Sequence, residues 1–296
     1  MVKIVNPHTG REFEFLIGAD PELFVKKSSQ LVSAHGLIKG DKKNPLKVDK
    51  GAVQVDGMAL EFNIDPADNL NKFLGNIETV MDILKKMVPD YELEISPVAD
   101  FGKALIDAQP KEAKELGCDP DYNAYTGAVN PRPNGDTPFR TASGHIHIGW
   151  TKDVDPQNPT HFEACRALVK NLDIYLGIPS LAFGGDDRRR QLYGAAGAFR
   201  PKSYGLEYRV LDNMWLTTRY RRKWAFENTV LAIKETFKNW EAAGNKTFEA
   251  SKDGKSITLK AKDIIAKAPG WEEASKYAME YEGVTPASFY RKQEAA

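Results

Sequence analysis

The chain has 296 residues, 42% hydrophobic and 28% charged, and its 41 Lys plus Arg are balanced by 41 Asp plus Glu. That length supports one large domain or two small ones with ample core. Zero net charge excludes a global attraction to nucleic acid or anionic lipid, leaving only local basic patches. No run approaches the roughly 18 apolar residues of a membrane span, and MVKIVNPHTG lacks the apolar segment of a secretion signal. Cys118 and Cys165 stand far apart without CxxC spacing, which points to free thiols in a reducing compartment. A cytoplasmic protein is expected.

Residues 12–18 and 22–26 are rich in β-formers and read as one strand interrupted at Pro21, or two short ones. Residues 52–64 read as a hairpin or bulged strand around Asp56-Gly57. Asp65-Pro66 offers a helix start, and Leu70, Phe73, Leu74, Ile77, Met81, Leu84 and Met87 form the apolar stripe of a helix over 66–88 that Pro89 ends. Residues 91–96 alternate as a strand, and 97–140 read as a long loop region. A strand at 144–150 follows, then a helix over 161–176 with Thr160 and Glu163 as a capping box. Residues 180–204 read as another long loop, 205–210 as a strand and 218–243 as a helix. Beyond 245 a short hairpin around Asp253-Gly254 and weak helices are expected, so the division is a main domain over 1–244 and a small appendage over 245–296.

Acids and imidazoles recur at strand spacing. Asp20 with Glu22, His145 with His147, and Glu207 with Arg209 are each two residues apart, so each pair projects from one face of its strand. Asp56 and Glu61 add two more carboxylates, and Glu61 lies among apolar neighbours with no basic residue nearby. Such a face cannot be an apolar core, because unpaired buried charge is too costly. A hard divalent ion, Mg²⁺ or Mn²⁺, suits the oxygen-rich set Asp20, Glu22, Asp56, Glu61 and Glu207, and the imidazoles of the His-x-His strand are of a type that commonly ligates metal. The glycines flanking the His-x-His strand allow close approach of a ligand or another backbone.

Arg188, Arg189, Arg190 and Arg200 lie among glycines just before Glu207, where guanidinium groups could hold phosphate or carboxylate bidentately. The basic run 219–223 opens a helix and reads as a solvated face. Metals beside arginines describe a site for a nucleoside triphosphate. No Walker A motif or Rossmann glycine fingerprint is present, so metals and arginines would have to hold it.

These segments, in this order, resemble the glutamine synthetase superfamily, and within it the phage-type carboxylate–amine ligases, or amidoligases. Asp20-Pro21-Glu22 is similar to the Glu-Pro-Glu strand that opens the family's metal site. Asp56 and Glu61 match the two further acids, Ser143-Gly144-His145-Ile146-His147 matches the His-x-His segment, and Glu207 with Arg209 matches the closing acid-x-Arg strand. GADPELF, DGMALEFN and the run from Arg189 to Arg209 look closer to the amidoligases than to glutamine synthetase itself. Asp20 and Asp56 replace longer Glu residues, and no separate N-terminal β-grasp domain or ammonium and glutamate sites are recognisable, so glutamine synthesis is not expected.

The resemblance implies an α+β fold: a glutamine synthetase-like domain with a curved antiparallel sheet and helices on its convex side. It implies an ATP-dependent ligase that forms an amide through an acyl phosphate, encoded by a bacteriophage and working in host cytoplasm. Glu22, Asp56 and Glu61 would hold one metal near the carboxylate. Asp20, His145 and Glu207 would hold a second across the ATP phosphates. His147 would help bind the acid, and Arg209, with Arg188, Arg189, Arg190 and Arg200, would contact phosphate and the transferring group. The Gly-, Pro- and Asn-rich segment 119–140 is the candidate cover over such a site. The expected partners are small-molecule or peptide carboxylates and amines, with no membrane or nucleic acid. The alternatives are a guanidino kinase of the same superfamily, which should carry a reactive Cys near the site, and a non-catalytic virion-associated binding protein.

Overall fold

The computed structural model describes residues 2–5, 10, 12–114, 120–132, 136–183 and 186–240. The expectations for the tail beyond 240, and for Cys118, lie outside these residues. Thirteen strands are defined among those described: β1 (Val2–Val5), β2 (Glu12–Lys27), β3 (Gln30–Val32), β4 (Leu46–Val48), β5 (Gly51–Asp56), β6 (Ala59–Ile64), β7 (Glu92–Glu94), β8 (Val98–Asp100), β9 (Tyr122–Asn123), β10 (Phe139–Thr141), β11 (Gly144–Gly149), β12 (Ala198–Lys202) and β13 (Gly205–Tyr208). The main sheet runs β4-β5-β6-β2-β11-β13-β12-β9, with β1, β3 and β7 also paired to β2, and β8 with β10 forms a separate pair. Its strand ladders are antiparallel.

β2 is one strand of 16 residues that runs straight through Pro21. The break expected there does not occur, because Pro21 sits where the strand changes partners. Up to Pro21 it pairs with β11, ending at Gly144; from Glu22 it pairs with β6. A proline removes one ladder donor, and the end of a ladder is where that loss is tolerated.

Register makes the sheet two-faced. One face carries Phe15, Ile17, Leu23, Val53, Leu60, Phe62, Ile146, Ile148, Phe199, Leu206 and Tyr208, all buried in a single core. Fully burying an aliphatic or aromatic side chain contributes about 1.5–3 kcal/mol, so this face dominates the stability of the sheet. The opposite parity carries Asp20, Glu22, Gln54, Asp56, Glu61, His145, His147, Arg200 and Glu207, which meet directly across the ladders as Asp20–His145, Glu22–Glu61, Gln54–Glu61, His147–Glu207 and Arg200–Glu207.

The helices differ from expectation mainly at their starts. α1 (Leu70–Met87) is capped by Asn69, whose side chain accepts from Lys72 N–H. Asp65-Pro66 does not open it, because Ala67 is held extended by two backbone hydrogen bonds to Ile17, of 2.9 and 2.8 Å. The region 97–140 holds β8, α2 (Lys103–Asp107), α3 (Lys111–Lys114), β9 and β10 rather than loop alone. Its apolar residues Ala99, Phe101, Ile106 and Ala113 build a second small core with Ala142, Phe24 and Met58.

α4 (Pro159–Leu172) is capped by Asn158, which accepts from Thr160 and His161 N–H, with Pro159 at the first helical position. Glu163 turns instead to Arg166, at 2.5 Å. A π-helical turn, Asp173–Gly177, and α5 (Ile178–Ser180) continue the chain. The expected loop over 180–204 contains α6 (Asp187–Leu192), capped by Asp186, and β12. α7 (Arg219–Trp240) matches the predicted helix as far as residue 240. α1 packs on β5 and β6, α4 on β12 and β13, and α7 crosses both helices. The result is an α+β fold with a large antiparallel sheet.

Gly144 shows which close approach its lack of a side chain serves. A Cβ there would lie 2.4 Å from Trp215 Nε1 and 2.5 Å from the Asp212 carbonyl oxygen, and that indole donates to Gly144 O at 2.9 Å. The partner is protein backbone and a ring, not a ligand. Gly144→Ala is expected to cost about 1–3 kcal/mol or more by overpacking, measured by urea unfolding. An unchanged midpoint would count against this packing.

Candidate active site

The polar face resolves into two groups of three. Asp20, His145 and Glu207 form one, and Glu22, Asp56 and Glu61 the other; in each, one ligand atom per residue lies within 4.8 Å of the others. The structure thus brings together, in the grouping the resemblance implied, all six residues expected to bind metal.

In the first triad His145 Nδ1 is 3.3 Å from Asp20 Oδ1 and 3.5 Å from Glu207 Oε1. His147, on the same face, places Nε2 3.1 Å from Asp20 Oδ1, and its Nδ1 meets Tyr204 Oη at 2.5 Å. Three cations converge on Glu207: Arg200 at 3.0 Å, Lys202 at 2.9 Å, and Arg209. Burial alone would raise Glu207, but Arg209 and both histidines hold it well below the usual carboxylate range. Burial is likewise outweighed at Asp20, which His147 and His145 bring down. His145 is lowered by burial and by Arg209; His147, although buried, is raised by Asp20.

The second triad has the opposite electrostatics. Glu22 accepts from Ser143 N–H at 2.6 Å and Glu61 from Gln54 Nε2 at 2.7 Å. Burial and the Asp56 carboxylate push Glu22 up to about 7, and burial with Asp20, Asp56 and Glu22 pushes Glu61 well above its ordinary value. Lys42 Nζ, 2.8 Å from Asp56 Oδ1, is the cation in contact with this group among the described residues. Repelling buried carboxylates are what a divalent ion relieves.

Both donor sets fit a hard ion: three carboxylates in one, two carboxylates and an imidazole in the other. At the first set, Asp20 Oδ1 is buried and shared between His145 Nδ1 at 3.3 Å and His147 Nε2 at 3.1 Å.

The arginines divide. Arg209 reaches Glu207, and its Nε donates to Asp121 at 3.1 Å; Arg200 joins the same cluster. Arg188 is spent elsewhere, with its fork on Asp100 at 2.7 and 3.0 Å and its Nε on Asp186. Arg189 is fully buried and donates to the Val210 and Leu211 carbonyls at 2.8 and 2.7 Å, so it clamps backbone rather than binding phosphate. Arg190 points to Asp212 and Ser180, outside both triads. The expected phosphate contacts of Arg188, Arg189 and Arg190 are therefore revised.

Sequence reasoning misses Lys42, Gln54, Asp121, Lys202 and Tyr204. Strand parity could have found two of them, since Gln54 sits two residues from Asp56 and Lys202 two from Arg200. Lys42, Asp121 and Tyr204 come from turns and irregular segments, where parity carries no information.

Residues 134–279 match the family model described as phage phiEco32-like COOH.NH2 ligase-type 2. Over this stretch, 146 of the 296 residues, the chain is similar to that family. The description names ligases that join a carboxyl group to an amine. The matched stretch includes His145, His147, Arg200, Glu207 and Arg209, while Asp20 and the whole second triad precede it. No curated protein matches the chain. No helix among the described residues is long and apolar enough to cross a membrane.

Glu61→Gln tests the second triad. Because Glu22 and Glu61 are raised in the folded protein, the native state keeps protons that the unfolded chain releases. Ion-free stability should therefore fall as pH rises from the ordinary Glu range through about 7, the value for Glu22. The amide introduced by Glu61→Gln can still accept from Gln54 but carries no charge, so the variant should melt higher than the parent at alkaline pH without divalent ion. It should also lose most of the gain that saturating Mn²⁺ gives the parent, about 2.7 kcal/mol at a hundredfold excess over Kd. Identical melting curves for the two proteins, with and without Mn²⁺, would make the carboxylates merely structural.

Proposed function

We propose that this protein is an ATP-dependent carboxylate–amine ligase that works through an acyl phosphate. A carboxylate oxygen of the acid substrate attacks the γ-phosphorus of ATP and ADP leaves. The amine nitrogen then attacks the acyl carbon, phosphate leaves with the C–O bond electrons, and the nitrogen loses one proton to give the amide. The observation that carries this reading is the electrostatic division of one sheet face. Arg200, Lys202 and Arg209 crowd the first triad, which suits a polyanion; the carboxylate-rich second triad suits an ion beside the acid substrate.

Asp20, His145 and Glu207 would hold one Mg²⁺ or Mn²⁺, and Glu22, Asp56 and Glu61 another. Such ions, when bound, neutralise phosphate oxygens and orient the transferring group. Arg209 is the residue suited to the developing phosphoryl charge, because Glu207 and Asp121 fix its planar fork before substrate arrives. His147, between Asp20 and Tyr204, would meet the acid substrate. Against the guanidino kinase alternative, the cysteine among the described residues, Cys165, is buried on α4 beside His161, and burial pushes its thiol far up.

Incubation with ATP, Mg²⁺ and pools of amino acids or peptides should release phosphate only when carboxylate and amine are both present, in proportion to amide formed, and EDTA should stop it. Arg209→Lys should lower turnover on the order of 10²-fold while changing nucleotide affinity much less, since an ammonium cannot copy the planar fork. A phosphorylated guanidine, formed without any carboxylate substrate, would replace this reading with the kinase.

A further inference from the structure

Lys42 is the residue of the polar face with no role so far. Its loop is built to deliver it. Gly40 has φ +110°, and a Cβ there would come within 2.6 Å of the Val53 carbonyl oxygen, so the backbone is pressed onto β5 in a conformation that favours glycine. Val55 N–H donates to Gly40 O at 3.1 Å. Asp41 then closes the turn by accepting from Lys43 and Asn44 N–H at 2.8 and 2.9 Å. Lys42, between the two, projects over Asp56, and its charge acts on Glu22 and Glu61 as well. The ammonium thus contacts Asp56 and interacts with the charges of Glu22 and Glu61, the same three carboxylates that a divalent ion would engage. Its side chain is 49% exposed, so a swing to water would rehydrate the ammonium at the loss of its ion pair with Asp56.

We propose that the Lys42 ammonium is the resting occupant of the Glu22–Asp56–Glu61 triad and that a divalent ion binding there displaces it from Asp56. The proposal rests on the reading of that triad as a cation site. Until the ion arrives, Lys42 relieves part of the carboxylate repulsion; afterwards the dication repels it, and residues 40–44 carry a cationic side chain released at the mouth of the site. Filling of this triad is then a competition between ammonium and ion, which lowers the affinity of the ion.

The test uses Mn²⁺ alone and the full chain. Calorimetry establishes binding, and brief acetylation followed by peptide mass spectrometry reads the reactivity of each lysine. On saturation with Mn²⁺, Lys42 should become several-fold more reactive while its neighbour Lys43 does not change, and the rise should be absent in Glu61→Gln. Lys42→Gln, a substitution at a half-exposed position that should not disturb folding, should bind Mn²⁺ about tenfold more tightly, the equivalent of one pKa unit of interaction. Bound Mn²⁺ with Lys42 reactivity unchanged or reduced would overturn the displacement, as would equal or weaker binding by Lys42→Gln. Absence of Mn²⁺ binding to the parent protein would instead remove the cation-site reading itself, and this proposal with it.

Discussion

Carboxylates held on a sheet face whose reverse side is hydrocarbon must each find a cation, a proton or a hydrogen-bond donor, because burial without one costs several kcal/mol. This constraint organises the molecule. Asp20 and Glu207 are ionised by two histidines and three basic side chains. Glu22 and Glu61 lie on the same face, with a backbone N–H, an amide and one lysine, and their affinity for protons rises instead. The same chemical group, on the same face of the same sheet, is therefore prepared for two kinds of neighbour. At one end three basic side chains surround a carboxylate; at the other, three carboxylates share one lysine.

Holding that division requires a fixed strand register. A slip of one residue in β2 would turn Asp20 and Glu22 into the core and expose Ala19 and Leu23. The long strand is pinned on both sides, by β11 over Leu16–Pro21 and by β6 at Glu22 and Leu23. The partner switch at Pro21 separates the two triads: Asp20 lies before it and Glu22 after it. Its surroundings are reinforced by buried polar contacts, with Asn213 Nδ2 donating to the Glu22 carbonyl at 2.8 Å and Arg189 binding the carbonyls at 210 and 211. Arg189 therefore serves as a structural strut in the position where the sequence suggests a phosphate ligand.

Parity makes much of the site legible. Pairs two residues apart on β2, β11 and at the end of β13 share a face by geometry, and Glu61 is distinctive because acids rarely sit among apolar neighbours. The resemblance supplies the grouping into two sets. Boundaries are less legible, since Asn69, Asn158 and Asp186 are short polar residues whose capping role depends on which backbone N–H groups lie free nearby. The arginine-rich segment misleads for a related reason. A guanidinium among glycines can bind a ligand or bind carbonyls, and only the fold decides which: α6 turns Arg188 toward Asp100 and buries Arg189 against the chain that follows β13. The region 97–140 contains many turn-forming residues, yet Phe101, Ile106 and Ala113 suffice to fold part of it onto Phe24.

The segment around residues 121–130 links these observations. Its composition suggests a cover over the site, but the structure fastens it at several points. Ala124 N–H donates to the Gly197 carbonyl at 2.9 Å, Arg166 binds the Ala124 and Tyr125 carbonyls, and Tyr125 Oη donates to Asp173 at 3.0 Å. Asp173 also accepts from Tyr208 Oη at 2.7 Å, beneath the strand that carries Glu207 and leads into Arg209. Burial raises Asp173 to about 7 in spite of these bonds, the mark of an acid kept inside for its geometry. One buried carboxyl on the π-helical turn thus ties down both the strand bearing Glu207 and the segment bearing Asp121. Arg209 is gripped between those two acids, so the direction of its fork is set from beneath the sheet as well as from within the site. Rigid support of this kind is what preorganised charge stabilisation requires, because a guanidinium that had to reorient during the reaction would lose much of its advantage over water.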